Sequence, residues 1–409
     1  MRKRSTRKRD PLSLARKISI AVREAGGRAF AAGGYVRDRM MARVHPELAQ
    51  VASRSTEIDL EVYRIPPQRL REILSRFGRV DLVGQAFGVL KVGGLDVSLP
   101  RRENKIGAGH RGFTVFSDPW LSYEEACRRR DLTINSMLFD LLTEELIDPY
   151  GGMRDLERRL LRATDPTTFG EDPLRVLRVM QFAARFGFSV AGETLRLCRT
   201  LDISELPRER IAGEIEKWLL KSPRPSVGLF LFDPLGILPH FPPLPSLVGR
   251  HAVAEEIDDF GMTARLLDEA ARRRDTLPPS DRLILMLSAW ARFLPEPRDS
   301  EAPEKVVAVF LRRFLATKRV IEGVCSLVAA APLPRRLYEA HGGDGEIRRL
   351  SRRVRISLLL RLAEAEYFAH CPGAEGFPAG EWLETNARRL GVMEAPPPPI
   401  LQGRDLIEV

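Results

Sequence analysis

Cysteine is scarce in this chain. Cys127, Cys198, Cys325 and Cys371 are its only four in 409 residues, far apart and with no C-x-x-C pair. That excludes a disulfide framework and a cysteine zinc site, and it fits a reducing cytoplasm with no disulfide partner. Long apolar runs are missing too. Nothing approaches the ~20 residues of a membrane span, and there is no apolar core of the signal-peptide kind. The expectation is a cytoplasmic protein with no membrane partner. No internal repeat is evident.

What is present is ordinary for a globular chain, except for its charge. Hydrophobic content is 44% and charged content 29%, and the length suits two to four domains. A net charge of +10 with a pI near 9.7 favours a polyanionic partner. Most of the cations are arginine, which forks onto phosphate and stacks on bases. The same charge also serves solubility.

Residues 1–9 hold Arg2, Lys3, Arg4, Arg7, Lys8 and Arg9 without an apolar anchor. They read as a basic arm, touching nucleic acid or merely solvated. Asp10-Pro11 predicts a helix start, and Leu14, Ile18, Ala21, Val22 and Ala25 keep helical spacing up to Gly26-Gly27. Arg28 to Ala32 reads as a strand running into Gly33-Gly34. Glycines there let backbone N–H groups approach an anion, and Arg37 follows one turn later. Alone, the glycine pair equally marks a tight turn.

The chemistry centres on Glu57-Ile58-Asp59-Leu60-Glu61. Alternation along a strand puts Glu57, Asp59 and Glu61 on one face and Ile58, Leu60 and Val62 on the other. Such a face either binds a hard cation such as Mg²⁺ or is a half-buried strand with a solvated acidic side. Pro66 to Phe77 reads as a helix, with strands at 80–83, 89–92 and 95–99. Asp96 lies on the last of these, either as a further carboxylate from an adjacent strand or as an exposed strand-end residue. Residues 101–120, with Gly107, Gly109 and Gly112 around His110-Arg111, read as a long mobile loop. Arg128 to Asn135 is a basic cluster beside hydroxyl, amide and carboxylate groups, suited to a triphosphate and a ribose, or else a charged helix start. Asp148 to Gly152 is a turn. From about residue 170 the pattern is helical, with proline-rich breaks at 235–245 and 294–304 and a linker at 396–399.

In order and spacing these pieces resemble the class II tRNA nucleotidyltransferase (CCA-adding enzyme) and poly(A) polymerase family of bacterial type, a branch of the polymerase-beta-like nucleotidyltransferases. The resemblance rests on Gly33-Gly34-x-Val36-Arg37-Asp38, Glu57-x-Asp59, Asp96 to Arg101, Arg129-Arg130-Asp131-x-Thr133-x-Asn135, Asp148-Pro149-x-Gly151-Gly152 and Glu171-Asp172-x-x-Arg175-x-x-Arg178. It covers roughly residues 27–220 well.

The resemblance implies an α+β architecture. A basic arm and first helix (1–26) precede a nucleotidyltransferase head of mixed sheet and helices (27–165), a helical neck (166–222) and a helical body and tail gripping tRNA (223–409). It implies template-independent addition of C and A to the tRNA 3′ end from CTP and ATP, with two Mg²⁺ ions about 4 Å apart. Glu57 and Asp59 would hold metal, with Asp96 as the third catalytic carboxylate. Gly33, Gly34, Arg37 and Arg130 would hold the triphosphate, with Asp131 and Asn135 nearer the ribose. In such families a flexible loop at 101–120 is associated with the switch to the final adenosine.

Asp172 and Arg175 would read the base, in a neck motif that Arg178 completes. Cytosine and adenine both present an amino donor beside an unprotonated ring nitrogen, which suits a carboxylate acceptor and a guanidinium donor. The other reading is that Asp172 caps the helix while Glu171 pairs with Arg175.

The chain departs from the family pattern in three places. Glu57 stands where aspartate is usual, which leaves open whether it binds metal after local adjustment or Glu61 shares the task. Met262, Ser288 and Ala289 occupy positions where related bodies carry phosphohydrolase metal ligands, so a degenerate region is expected there. Relatives continue past a segment like Gly403 to Ile407, so part of the tail is expected to be absent. Within the same chemistry the product could equally be CC, A or poly(A). A reading from another class is a catalytically weakened RNA-binding homologue.

Overall fold

A computed structural model describes residues 10–52, 57–83, 88–105, 113–251, 256–294 and 302–397. The basic arm, residues 106–112 of the 101–120 segment and the chain beyond 397 are among those outside them. The chain divides into two compact units, Met1–Val179 with Phe186–Glu205 and Met180–Arg185 with Leu206–Val409.

The first unit is built on a seven-stranded mixed sheet. In chain order its elements are α1 (Pro11–Glu24), β1 (Arg28–Ala32), α2 (Gly34–Val44), α3 (Ala49–Ala52), β2 (Asp59–Tyr63), α4 (Pro67–Ser75), β3 (Val80–Val83), β4 (Val89–Val92) and β5 (Leu95–Ser98). Then follow β6 (Arg101–Lys105), β7 (Phe113–Ser117), α5 (Tyr123–Arg128), β8 (Leu138–Phe139), β9 (Leu146–Ile147), α6 (Gly152–Glu157), β10 (Leu160–Leu161), α7 (Pro166–Phe169), α8 (Leu174–Phe186, of which Met180–Arg185 count with the second unit), β11 (Ser189–Val190) and α9 (Gly192–Arg199). The sheet order is β3-β4-β5-β2-β1-β8-β9.

The central strand β1 is apolar on both faces, as a covered sheet requires: Ala29 to Ala32 are all buried. Asp10 accepts hydrogen bonds from the Leu12 and Ser13 N–H groups and starts α1 as expected. Helix α1 turns Leu14, Ile18 and Val22 inward and lies against β1 and α4.

One expectation is corrected here. Residues 101–120 are not a structureless loop: β6 and β7 pair antiparallel as a two-stranded ribbon. At its base the Asp118 N–H donates to the Pro100 carbonyl (2.8 Å) and the Arg64 N–H to the Pro119 carbonyl (2.8 Å). Glycine content had suggested a loop, but here the flanking residues pair across the chain. Gly107, Gly109 and Gly112 fall outside the described residues. The acidic strand is divided: Glu57 and Asp59 are exposed, whereas Glu61 is buried. From Leu60 to Tyr63 every residue of β2 is buried, because β1 and β5 flank it and α5 covers the face that carries Glu61 and Tyr63.

The second unit is helical: α10 (Arg208–Lys221), α11 (Pro225–Leu229), α12 (Asp259–Arg274), α13 (Pro279–Ala291), α14 (Pro303–Arg312), α15 (Lys318–Ala330), α16 (Leu333–Glu339), α17 (Asp344–Arg353), α18 (Ile356–His370) and α19 (Pro378–Arg389). Its centre is aromatic. The Trp218 and Trp290 rings meet edge to face at 5.2 Å, with Phe232, Phe241, Phe310 and Phe314 around them. Met262, Ser288 and Ala289 belong to this core. Met262 and Ala289 are buried, and the buried Ser288 hydroxyl donates to the Ile284 carbonyl.

The described cysteines form no disulfide. Burial pushes the Cys127 and Cys198 thiols up to about 12, which keeps them protonated. Among the described residues no helix is long and apolar enough to cross a membrane.

Candidate active site

One end of the sheet gathers the residues that the sequence had only placed in order. Strand β1 ends at Ala32, opposite Asp59 in the antiparallel register, and Asp59 is the parallel partner of Asp96 on β5. Gly33, the next residue after β1, has φ +65°, a conformation that glycine adopts without strain, and it caps α2. A side chain there would begin 3.6 Å from Arg130 Nη1 and 3.9 Å from Asp59 Oδ2. The glycine therefore leaves a gap bordered by an N-terminal helix turn, a guanidinium and a carboxylate. A side chain at Gly34 would begin 3.6 Å from Arg37 Nη2.

The two aspartates repel each other. Surrounding protein and the charges of Asp96 and Glu57 raise the Asp59 pKa, against the pull of Arg130 and Lys91. Lys91 lies 3.4 Å from Asp96 Oδ1. Glu57 precedes β2 and is exposed. Carboxylates side by side with mutual repulsion are a hard oxygen donor set, which fits Mg²⁺ or Mn²⁺.

Glu61 is different, although it shares the face of Asp59. It is 2% exposed. Its carboxylate accepts from Arg130 Nη2 (2.9 Å), Arg129 Nη2 (3.2 Å) and Tyr63 Oη (2.5 Å). Burial acts to raise its pKa, but the two guanidiniums and the tyrosine outweigh burial and hold it below the usual carboxylate range. The Glu61 oxygens are thus taken up by protein donors, unlike those of Asp59, so Glu61 is poorly placed to share in binding a cation.

Arg129 and Arg130 arrive from the end of α5. That short helix is started by a reciprocal capping box, with Ser122 Oγ accepting from the Glu125 N–H and Glu125 Oε2 accepting from the Ser122 N–H. The basic cluster therefore follows a helix end and is not a helix start.

A second, continuous network joins the remaining residues. Arg178 Nε donates to Asp131 Oδ2 (2.7 Å), Asn135 Nδ2 to Asp131 Oδ1 (3.0 Å), and Arg37 Nη1 to Asn135 Oδ1 (2.8 Å). Arg37 Nε closes on Asp38 at 2.7 Å, with its guanidinium 4.9 Å from the centre of the Phe186 ring. Burial would push Asp131 up, yet Arg178, Asn135 and the Leu132 N–H hold it at about 2. Arg37 is thus engaged on the protein side by Asp38 and Asn135 and lies beside Gly34.

Asp172 Oδ1 accepts from the Leu174 N–H (3.1 Å), so the capping interaction exists. Arg175 donates to the carbonyls of Thr168 (2.5 Å) and Arg129 (2.6 Å). This tie of α8 to the arginine cluster was not anticipated, and nor was the Glu61 network. The alternation of β2 showed the Glu61 position but not a partner 68 residues away.

The family model of the poly(A) polymerase head domain matches residues 29–162. The multifunctional CCA protein of Stenotrophomonas maltophilia is 33% identical over 322 residues, covering 72% of this chain and 74% of that protein. That of Pseudomonas aeruginosa is 39% identical over 261 residues, 61% of this chain and 59% of its own length. The fold is that of the CCA-adding enzymes. The Bacillus stearothermophilus enzyme in complex with CTP aligns at a TM-score of 0.66 with 22% identity, over 97% of this chain and 87% of its own. The Thermotoga maritima enzyme complexed with tRNA aligns at 0.61 with 19% identity, over 98% and 88%. On its identity to the Stenotrophomonas protein over most of both lengths, the chain belongs to the family of the bacterial multifunctional CCA proteins.

Proposed function

We propose that the protein is a tRNA nucleotidyltransferase that adds C and A to the tRNA 3′ end from CTP and ATP with Mg²⁺. The observation that carries this reading is the convergence of Gly33, Asp59, Asp96 and Arg130 at one sheet end. It is supported by membership of the CCA-protein family and by the likeness to CCA-adding enzymes solved with CTP and with tRNA. The cytoplasm, where tRNA is processed, suits cysteines that form no disulfide.

In this reading Asp59 and Asp96 hold Mg²⁺, with Glu57 at the edge of the pair. A Mg²⁺ held by these residues would supply Lewis-acid stabilisation of the attacking hydroxyl and of the pyrophosphate charge. Gly33 and Gly34 let the first N–H groups of α2 face the triphosphate, and Arg130 and Arg37 supply positive charge beside it. Asp131 and Asn135 orient the ribose; Arg178 holds Asp131, and Asp131 and Arg37 hold Asn135. Asp172 and Arg175 select amino-bearing bases. The division into head (27–165), neck (166–222) and body and tail (223–409) belongs to the same reading. A carboxylate pair intact at the sheet end speaks against a weakened RNA-binding homologue.

The test is to incubate the protein with a tRNA transcript lacking its last three nucleotides, Mg²⁺ and each NTP, and then sequence the 3′ ends. Ends carrying CCA are expected, while ends with only CC, only A or an A-tail would assign another product of the same chemistry. Asp59→Ala should abolish extension while tRNA still binds. Extension at parental speed would refute the site.

A further inference from the structure

Glu61 poses a question that the proposed chemistry leaves open. The charge of Arg130 acts on two carboxylates of one strand face, Asp59 and Glu61. The guanidinium pairs with Glu61. Its Nη1 edge donates to the Asn135 carbonyl (3.4 Å) and borders the Gly33 gap, and its Nε–H is buried without a hydrogen-bond partner among the described residues. The guanidinium is thus pinned on the Glu61 side and presents its other edge to the gap.

We propose that Glu61 is a positioning residue whose buried carboxylate holds Arg130 off Asp59, so that the guanidinium serves the nucleotide side of the gap and Asp59 stays open to a divalent cation.

The physical argument is competition. A buried guanidinium needs a carboxylate, because an unpaired charge away from water is costly. If Glu61 lost its charge, Asp59 would be the carboxylate that Arg130 already feels from two residues along the same strand. An arginine fork on Asp59 occupies the same lone pairs that a cation needs. Ion pairing alone would not call for this arrangement, since buried ion pairs are poor stabilisers compared with apolar packing. Tyr63 adds a third donor and fixes Glu61 itself. The inference rests on the proposed metal role of Asp59.

The experiment measures Mn²⁺ binding to the full chain without nucleotide, by the EPR signal of free Mn²⁺, alongside the KM for CTP. Glu61→Gln should weaken Mn²⁺ binding about tenfold, the size of a nearby charge acting on a carboxylate. Adding Arg130→Gln to that variant should restore most of the Mn²⁺ affinity while the KM for CTP stays high. A purely structural role would lower the melting temperature and leave the Mn²⁺ affinity of the folded protein unchanged, and it would give no reversal in the double variant. Either result overturns the inference.

If Glu61→Gln does not fold, Tyr63→Phe keeps every charge and should still weaken Mn²⁺ binding, by about twofold or more. An unchanged affinity there also overturns it. Asp59→Ala separates the two levels. If the parent protein binds no Mn²⁺ that Asp59→Ala abolishes, the metal reading fails and this inference fails with it. If that binding is present but insensitive to Glu61→Gln, only this inference fails.

Discussion

Asp131 shows how much a single side chain can carry. Its folded pKa of about 2 lies below the ordinary 3.8, so the folded state binds its proton less tightly than the unfolded chain does. The resulting stability is fully present above the unfolded value and is lost as pH falls through about 4 toward 2. The shift corresponds to about 2 kcal/mol. Asp131→Asn should therefore unfold at lower urea at neutral pH. The gap to the parent should narrow as pH falls through that window, and a gap independent of pH would mean that packing alone is lost.

The base-reading pair divides unequally. Asp172→Ala should admit UTP and GTP, since a mismatched base then no longer leaves a buried group unpaired, a penalty of roughly 1–3 kcal/mol per contact. Arg175→Ala should do the same and also lose activity with every nucleotide, because it releases the Arg129 carbonyl next to the Arg130 site. Sequencing the products of each NTP separates the two. If Asp172→Ala keeps parental selectivity and only melts earlier, its bond to the Leu174 N–H is its whole role.

At the scale of elements, position depends on how tightly one turn packs on another. The N-terminus of α6 lies on the turn at Thr133–Asn135, and a side chain at Gly152 would begin 2.4 Å from the Thr133 carbonyl oxygen. Since a backbone atom cannot swing aside, Gly152→Ala must move the turn that carries Asn135. The expected cost is about 1–3 kcal/mol of stability, read from urea unfolding, together with a raised KM for CTP. Stability lost with KM unchanged would show that the turn relaxes without displacing Asn135. The ribbon β6–β7 belongs to the same scale. Its paired backbone makes it an element with its own register, so any role in the switch to adenosine is that of a ribbon joined to the sheet at Pro100 and Pro119.

For the whole molecule, net charge and the core of the second unit set the expectations. With +10, tRNA affinity should fall about a hundredfold or more between about 50 and about 200 mM salt, as counterion release requires. A filter-binding series checks this, and a flat response would mean that apolar contacts dominate. Met262, Ser288 and Ala289 are packed into the helical core, so phosphodiester hydrolysis dependent on Ni²⁺ or Mn²⁺ should be undetectable in that unit.

Local chemistry accounts for what the sequence determined by itself. Asp10 and Pro11 at the helix start, the apolar spacing of α1, the strand Arg28–Ala32, the glycine turn and the order of motifs were all legible, because each depends on neighbours a few residues away. Sequence alternation also put Glu57, Asp59 and Glu61 on one face. What it could not decide was which of those charges is answered by another. Asp59 stands beside Asp96, which repels it, while Glu61, two residues on, lies under α5 and meets Arg129, Arg130 and Tyr63. Only the tertiary structure sets that difference, since burial and pairing join residues 37 to 69 positions apart in the chain.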